Sequence, residues 1–157
     1  PWPGLTLGPT VLRPESRGHV RLSSPNPADV PEIVHNWLAA AEDQRLSVRA
    51  MRMARDLVAA PSLAGLVASE PWPGPDCRSD QELLEYARGF GNTGYHPVGT
   101  CRMGIDDGAV LDPALRVKGV SGLRVVDASV MPRLVSGNTN AAAIMIGEKG
   151  ADLILNS

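Results

Sequence analysis

The tightest constraint on this chain is a change of chemistry at residues 136–140. Ser136-Gly137-Asn138-Thr139-Asn140 is a run of small and polar residues suited to a turn. Beyond it, to residue 155, the chain is apolar and Ala-rich, with Ala142, Ile146, Lys149 and Leu153 at helical spacing. The last element must therefore be a helix, and Asn138 or Asn140 can cap it. Ahead of it stand Tyr95-His96-Pro97-Val98-Gly99-Thr100-Cys101-Arg102-Met103-Gly104 and Val110-Leu111-Asp112-Pro113. Gly122-Leu123-Arg124-Val125-Val126 then reads as a buried strand that delivers Asp127 and Ala128 at its C-terminal end. Ligands commonly meet α/β sheets at such an end. A histidine between an aromatic and a proline, with a polar pair ahead of a helix, could form a site. Taken alone, a histidine of this kind is more often a hydrogen-bonded structural residue.

The earlier part of the chain reads as a mixture of short strands and helices. Residues 1–9 are rich in proline and glycine and form an irregular lead-in. Thr10-Val11-Leu12 and His19-Val20-Arg21-Leu22-Ser23 read as two strands joined by a turn at residues 13–18, a hairpin-like pair. From Pro31 a helical period places Ile33, Val34, Trp37, Leu38 and Ala41 on one face. A second helical run covers residues 44–59, with Leu46, Met53, Leu57 and Val58 spaced for burial. Its arginines, Arg45, Arg49, Arg52 and Arg55, read as a solvated face. Pro61 breaks that helix. Ser79-Asp80 caps another through Arg88, with Glu82 in its first turn. His19 and His35 read as surface residues, and Trp2, Trp37 and Trp72 as packing residues.

Composition excludes several classes. A net charge of -2 with no basic block gives no footprint for nucleic acid. No apolar run reaches membrane-spanning length and no signal-peptide pattern opens the chain, which points to a cytoplasmic protein. Cys77 and Cys101 are not spaced as a CxxC pair and read as free thiols, Cys101 as a small packed side chain. Asp106-Asp107 lacks further ligands at calcium-loop spacing, so no metal is expected. There is also no GxGxxG turn between a strand and a helix, which a dinucleotide-binding domain needs.

Taken as an ordered series, residues 95–155 closely resemble the C-terminal part of the glucose-methanol-choline (GMC) oxidoreductases, in particular the choline dehydrogenase-like branch. A looser likeness reaches back to Thr10-Val11-Leu12-Arg13-Pro14 and Ser16-Arg17-Gly18. Members of that family oxidise alcohols with FAD. The resemblance implies an α+β fold: an antiparallel sheet with helices forming a substrate-binding lobe over residues 1–105. Residues 106–157 would return as a strand and helix that complete an FAD-binding α/β domain. The Gly-rich fingerprint would lie in a missing N-terminal segment, in the same or a companion chain. The start at Pro1 rather than Met fits a C-terminal fragment of that kind.

The resemblance also assigns roles. His96 matches the family's active-site histidine and would be the general base that removes the hydroxyl proton while hydride passes to the flavin. Imidazole suits the task because histidine titrates at about pH 6.5 when unperturbed. Asn138 matches a position that is His in some branches and Asn in others, and would orient the substrate oxygen. Asp127 and Ala128 match positions near the ribityl and pyrophosphate of FAD. Thr139 and Asn140, at the helix start, would face the flavin's anionic N1 and C2 carbonyl edge, where a helix N-terminus stabilises negative charge. Two alternatives stay open: a hydroxynitrile lyase on the same scaffold, and a non-catalytic interaction lobe. Choline, other primary alcohols, sugars and aromatic alcohols all satisfy the motif.

Overall fold

A computed structural model of the chain describes residues 3–156; Trp2 lies outside them. The chain divides into two compact units, one built from Pro1–Gly18 and His35–Thr93, the other from His19–Val34 and Gly94–Ser157. Together they make a small α+β fold of helices with a two-stranded antiparallel sheet.

The first unit is helical. α1 spans Ala41–Val58, α2 is the single turn Pro61–Ala64, and α3 spans Asp80–Phe90. Pro61 ends α1 and opens α2, as a residue with fixed φ and no N–H can do at a first helical position. Ser79 caps α3 with a full capping box: its hydroxyl accepts from the Glu82 amide, and the Glu82 carboxylate accepts from the Ser79 amide. α1 and α3 pack together, with Val48 and Leu83 buried. Arg45, Arg49 and Arg52 are exposed as expected and Arg55 is half-buried, and two of these arginines also hold the segment that leads to α3. Arg55 donates to the Glu70 carboxylate and to the carbonyls of Gly74 and Cys77, and Arg52 pairs with Asp80 and the Arg78 carbonyl.

One buried polar knot fixes the start of α1. Asp43 is 2% exposed and accepts from the amides of Glu15 and Ser16, each at 2.8 Å, and from the Ser16 hydroxyl at 2.5 Å. That hydroxyl in turn accepts from the Ala40 amide at 3.0 Å, so a residue from far upstream serves the uncapped helix start. Burial pushes the Asp43 carboxyl up. The Ser16 hydroxyl, the two amides and the charge of Arg17 together outweigh it and hold the group below the usual carboxylate range.

The helix expected from Pro31 does not form. Glu32–Val34 is a strand, and Asn36 and Leu38 take left-handed backbone angles at φ 55° and 54°. The β-branched Ile33 and Val34 favour the pleat, and no helix survives two left-handed residues. Trp37 and Trp72, expected to pack, are more than half exposed. Trp37 lies against the His35 ring, and Trp72 against Phe90.

In the second unit, β1 (His19–Arg21) pairs antiparallel with β2 (Glu32–Val34), with Val20 opposite Ile33. The hairpin partner is thus not Thr10-Val11-Leu12, which lies outside any strand. Asn26 and Asp29 close the connection instead, through bonds to Ser24 and to each other. The expected strand at 122–126 does not form: Gly122 lies in a turn at φ 73°, and the residues after it join no ladder. Arg124 makes one isolated bridge to Arg116, and Val125 donates to the Leu115 carbonyl. Leu111, Leu115, Val130, Met131 and Ile146 form the buried core, with Val125 and Val126 half-buried against it.

α4 spans Asn140–Leu155 and sets Ala142, Ile146 and Leu153 on that core as expected. Lys149 does not join them. It is exposed and bridges Asp152, while Gly150 takes the contact position. The reason is a close approach: a Cβ on Gly150 would stand 2.2 Å from a methyl of Val126. Among the described residues no helix is long and apolar enough to cross a membrane.

Two substitutions check this packing. Gly150→Ala should lower stability by about 1–3 kcal/mol through overpacking, and Val126→Ala in the same chain should recover part of it. Asp43→Asn should cost about 1–3 kcal/mol at neutral pH by setting an amide N–H2 against donors. Because the Asp43 carboxyl is depressed in the fold, its contribution is complete above the carboxylate range and is lost as pH falls through it. Urea midpoints of wild type and Asp43→Asn should therefore converge in acid.

Candidate active site

The six residues singled out in the sequence all fall in the second unit. Asp127, Ala128 and the loop that carries His96 hang on one short turn, the 3-10 helix Ala128–Val130. Asp127 starts it: one carboxylate oxygen accepts from the Ser129 amide at 2.7 Å. Val130 anchors it in the core with no exposed surface. The outward carbonyls of the turn then hold the loop that carries His96. The Ser129 carbonyl accepts from the amides of Gly99 at 3.0 Å and Cys101 at 3.2 Å, and the Val130 carbonyl accepts from Met103 at 2.9 Å. Gly99 passes under this contact at φ +91°, with the Met131 carbonyl 3.4 Å from where a Cβ would sit. Glycine is required there for the backbone angle as well as the space.

Downstream, Arg102 locks the end of the loop. Its guanidinium donates to both carboxylate oxygens of Asp106, at 2.9 and 2.6 Å, and so holds that carboxyl well below the usual carboxylate range. Asp106 is thus a turn-closing partner of Arg102. Among the described residues no cluster of His, Cys, Asp and Glu could hold a metal ion. Both cysteines are free, and Cys101 packs against the core.

Held this way, the half-buried His96 ring meets the start of α4. Its Nδ1 lies 2.8 Å from the Thr139 hydroxyl. Asn138 and Asn140 are exposed on either side of Thr139. The structure therefore brings His96 and Thr139 into direct contact, with Asn138 and Asn140 the chain neighbours of Thr139. Asp127 and Ala128 join the site through the turn, Asp127 exposed and Ala128 half-buried.

The cap of α4 differs from the sequence expectation. Neither asparagine occupies the cap position. Thr139 does, at φ -79° and ψ -10°, and its side chain makes no capping hydrogen bond to the first turn of the helix. The amides of Asn140, Ala141 and Ala142 thus have no intrahelical partner and form a small set of outward donors with partial positive charge. Such a set suits a carbonyl or anionic oxygen.

Sequence reasoning did not single out Ser129 or Gly99 as parts of the site. Asp127-Ala128-Ser129 carries a local signal for the first, since Asp two residues before a donor amide is an Asx-turn pattern. Nothing local announces that Thr139 turns its hydroxyl to a histidine earlier in the chain.

A sequence profile of the family described as GMC oxidoreductase matches residues 14–147. An alcohol dehydrogenase [acceptor] of Pseudomonas putida is 47% identical over 152 residues, covering 97% of this chain and 28% of that protein. An oxygen-dependent choline dehydrogenase of Escherichia coli is 45% identical over 143 residues, covering 91% and 25%. Among solved structures, an FAD-dependent oxidoreductase from Chaetomium thermophilum superimposes with a TM-score of 0.87 at 34% identity, covering 92% of this chain and 25% of that one. Pyridoxine 4-oxidase from Mesorbium loti gives 0.78 at 36% identity, covering 93% and 28%. The chain spans about a quarter of the length of the curated relatives it matches.

Gly99→Ala should strain the loop at its positive φ by about 1–2 kcal/mol. The expected outcome is a lower thermal midpoint together with faster hydrogen exchange at the Cys101 and Met103 amides. Unchanged protection at both would mean that Ser129 and Val130 do not hold the loop.

Proposed function

The chain belongs to the GMC oxidoreductase family, and from that premise we propose that it is the C-terminal portion of an FAD-dependent enzyme oxidising a CH–OH group. In this reading residues 1–105 belong to the substrate-binding lobe and residues 106–157 return to complete the FAD-binding domain. The Gly-rich turn for the pyrophosphate comes from another segment, in the same or a companion chain. The observation that carries the reading is the meeting of His96 with Thr139 at a helix start whose cap residue leaves its first-turn amides unbonded by its own side chain.

The donor set fits the proposed cofactor. The unpaired amides at the start of α4 offer hydrogen bonds and positive potential to an electron-rich carbonyl edge, with Thr139 contributing its backbone and Asn140 its carboxamide. Asp127 and Ala128 would hold the cofactor nearer its ribityl and pyrophosphate. When bound, FAD supplies the hydride acceptor for the alcohol carbon.

The remaining work falls to this chain's own residues. Thr139 occupies Nδ1 of His96, so Nε2 is the ring atom left for the substrate. There His96 takes the hydroxyl proton, and the imidazolium that results faces the alkoxide and steadies it. Asn138 donates a carboxamide N–H to the same oxygen and does not titrate in doing so. The alcohol dehydrogenase and choline dehydrogenase names of the relatives favour oxidation over the lyase alternative.

The test uses the full-length flavoprotein that carries this sequence. His96→Gln should retain the flavin absorbance but lose alcohol-driven anaerobic bleaching by about 10²- to 10⁴-fold. Bleaching at the wild-type rate would remove His96 as the base.

A further inference from the structure

We infer that the Thr139 hydroxyl is a positioning group that accepts a hydrogen bond from His96 Nδ1–H and so fixes the ring as the tautomer with a free Nε2. The inference deepens the base reading of His96 and rests on it. Three observations support it, and the first is what the hydroxyl does not do. Threonine at a helix cap ordinarily gives its oxygen to a first-turn amide, worth about 1 kcal/mol. Thr139 sits at the cap of α4 and makes no such bond. Ser79, at the corresponding place in α3, makes the complete box. The oxygen of Thr139 lies instead 2.8 Å from an imidazole nitrogen contributed by a distant loop.

The second observation is rigidity at both ends of the bond. The His96 loop is held by amide bonds to Ser129 and Val130, and Thr139 is fixed by the start of a helix seated on the core. A β-branched side chain there has few rotamers, so the oxygen cannot follow a moving ring. The third is chemical. A neutral imidazole has one donor and one acceptor nitrogen, and a hydroxyl can serve either. With Nδ1–H donating to Oγ1, the lone pair at Nε2 is free to take a proton. With the hydroxyl donating to Nδ1, Nε2 would carry hydrogen and could take none. Imidazole side chains in water favour the Nε2–H form, so the fold must act to favour the other.

Thr139→Val is a clean probe, because valine keeps the shape and the helix loses no cap bond. Ring 15N spectra of the full-length flavoprotein, with His96 identified by its loss in His96→Gln, should show a protonated Nδ1 in the wild type. In Thr139→Val the signal should move to the Nε2–H pattern. Alcohol-driven flavin reduction should fall roughly 10- to 100-fold at unchanged flavin content, with KM moving much less. Thr139→Ser should restore both the tautomer and the rate to within about threefold. An Nε2–H ring in the wild type, or a tautomer unmoved by Thr139→Val, would overturn the inference even if His96 proves to be the base. Wild-type bleaching in His96→Gln would instead remove the base reading, and the spectra would still decide the role of the hydroxyl.

Discussion

Two amide protons converge on the carbonyl of Ser129, and the candidate site depends on that shared oxygen. It turns a loop rich in glycine and proline into a fixed bracket for an imidazole. The same short turn is anchored inward by Val130, which packs in the core where Ile146 of α4 also lies. Loop and helix therefore rest on one apolar floor, although they are far apart along the chain. The position of His96 over the helix start is a consequence of packing as much as of hydrogen bonding. Gly150 completes the arrangement by letting α4 lie close against Val126.

How far the sequence could be read depends on the range of the interactions. Ser79 and Glu82 announce the start of α3 because a capping box closes within four residues. The course of α4 is visible in the spacing of Ala142, Ile146 and Leu153. The hairpin partner of β1 is not visible, because nothing local in His19-Val20-Arg21 states whether the chain pairs backward to Thr10 or forward to Ile33. Residues 31–38 mislead for a related reason. Their apolar spacing suits a helix, while Asn36 and Leu38 take left-handed angles that only the folded unit reveals. Residues 122–126 have strand composition, but a strand is defined by its neighbours, and among the described residues an isolated bridge and a few backbone bonds do not make a ladder.

The site divides along the same line. The residue types and their order locate it, through His96, Asp127 and the run at 138–140. The direction of each polar group is a tertiary fact. The Thr139 hydroxyl bonds His96 rather than its own helix, and Asn138 and Asn140 stay exposed where either was expected to cap. The polar knot at Asp43 shows the same behaviour in the first unit. Its partners at Glu15 and Ser16 lie well upstream, and no pattern around Asp43 foretells them.

The bare first turn of α4 also sets up a compromise between durability and affinity. A side chain that capped one of those amides would make the helix firmer by about 1 kcal/mol and would withdraw that donor from any ligand oxygen. Leaving them open ties the two quantities together, since whatever binds there adds its free energy to the folded state alone. Residue 139 is thus a position where selection for heat resistance and selection for ligand retention would pull towards different chemistry.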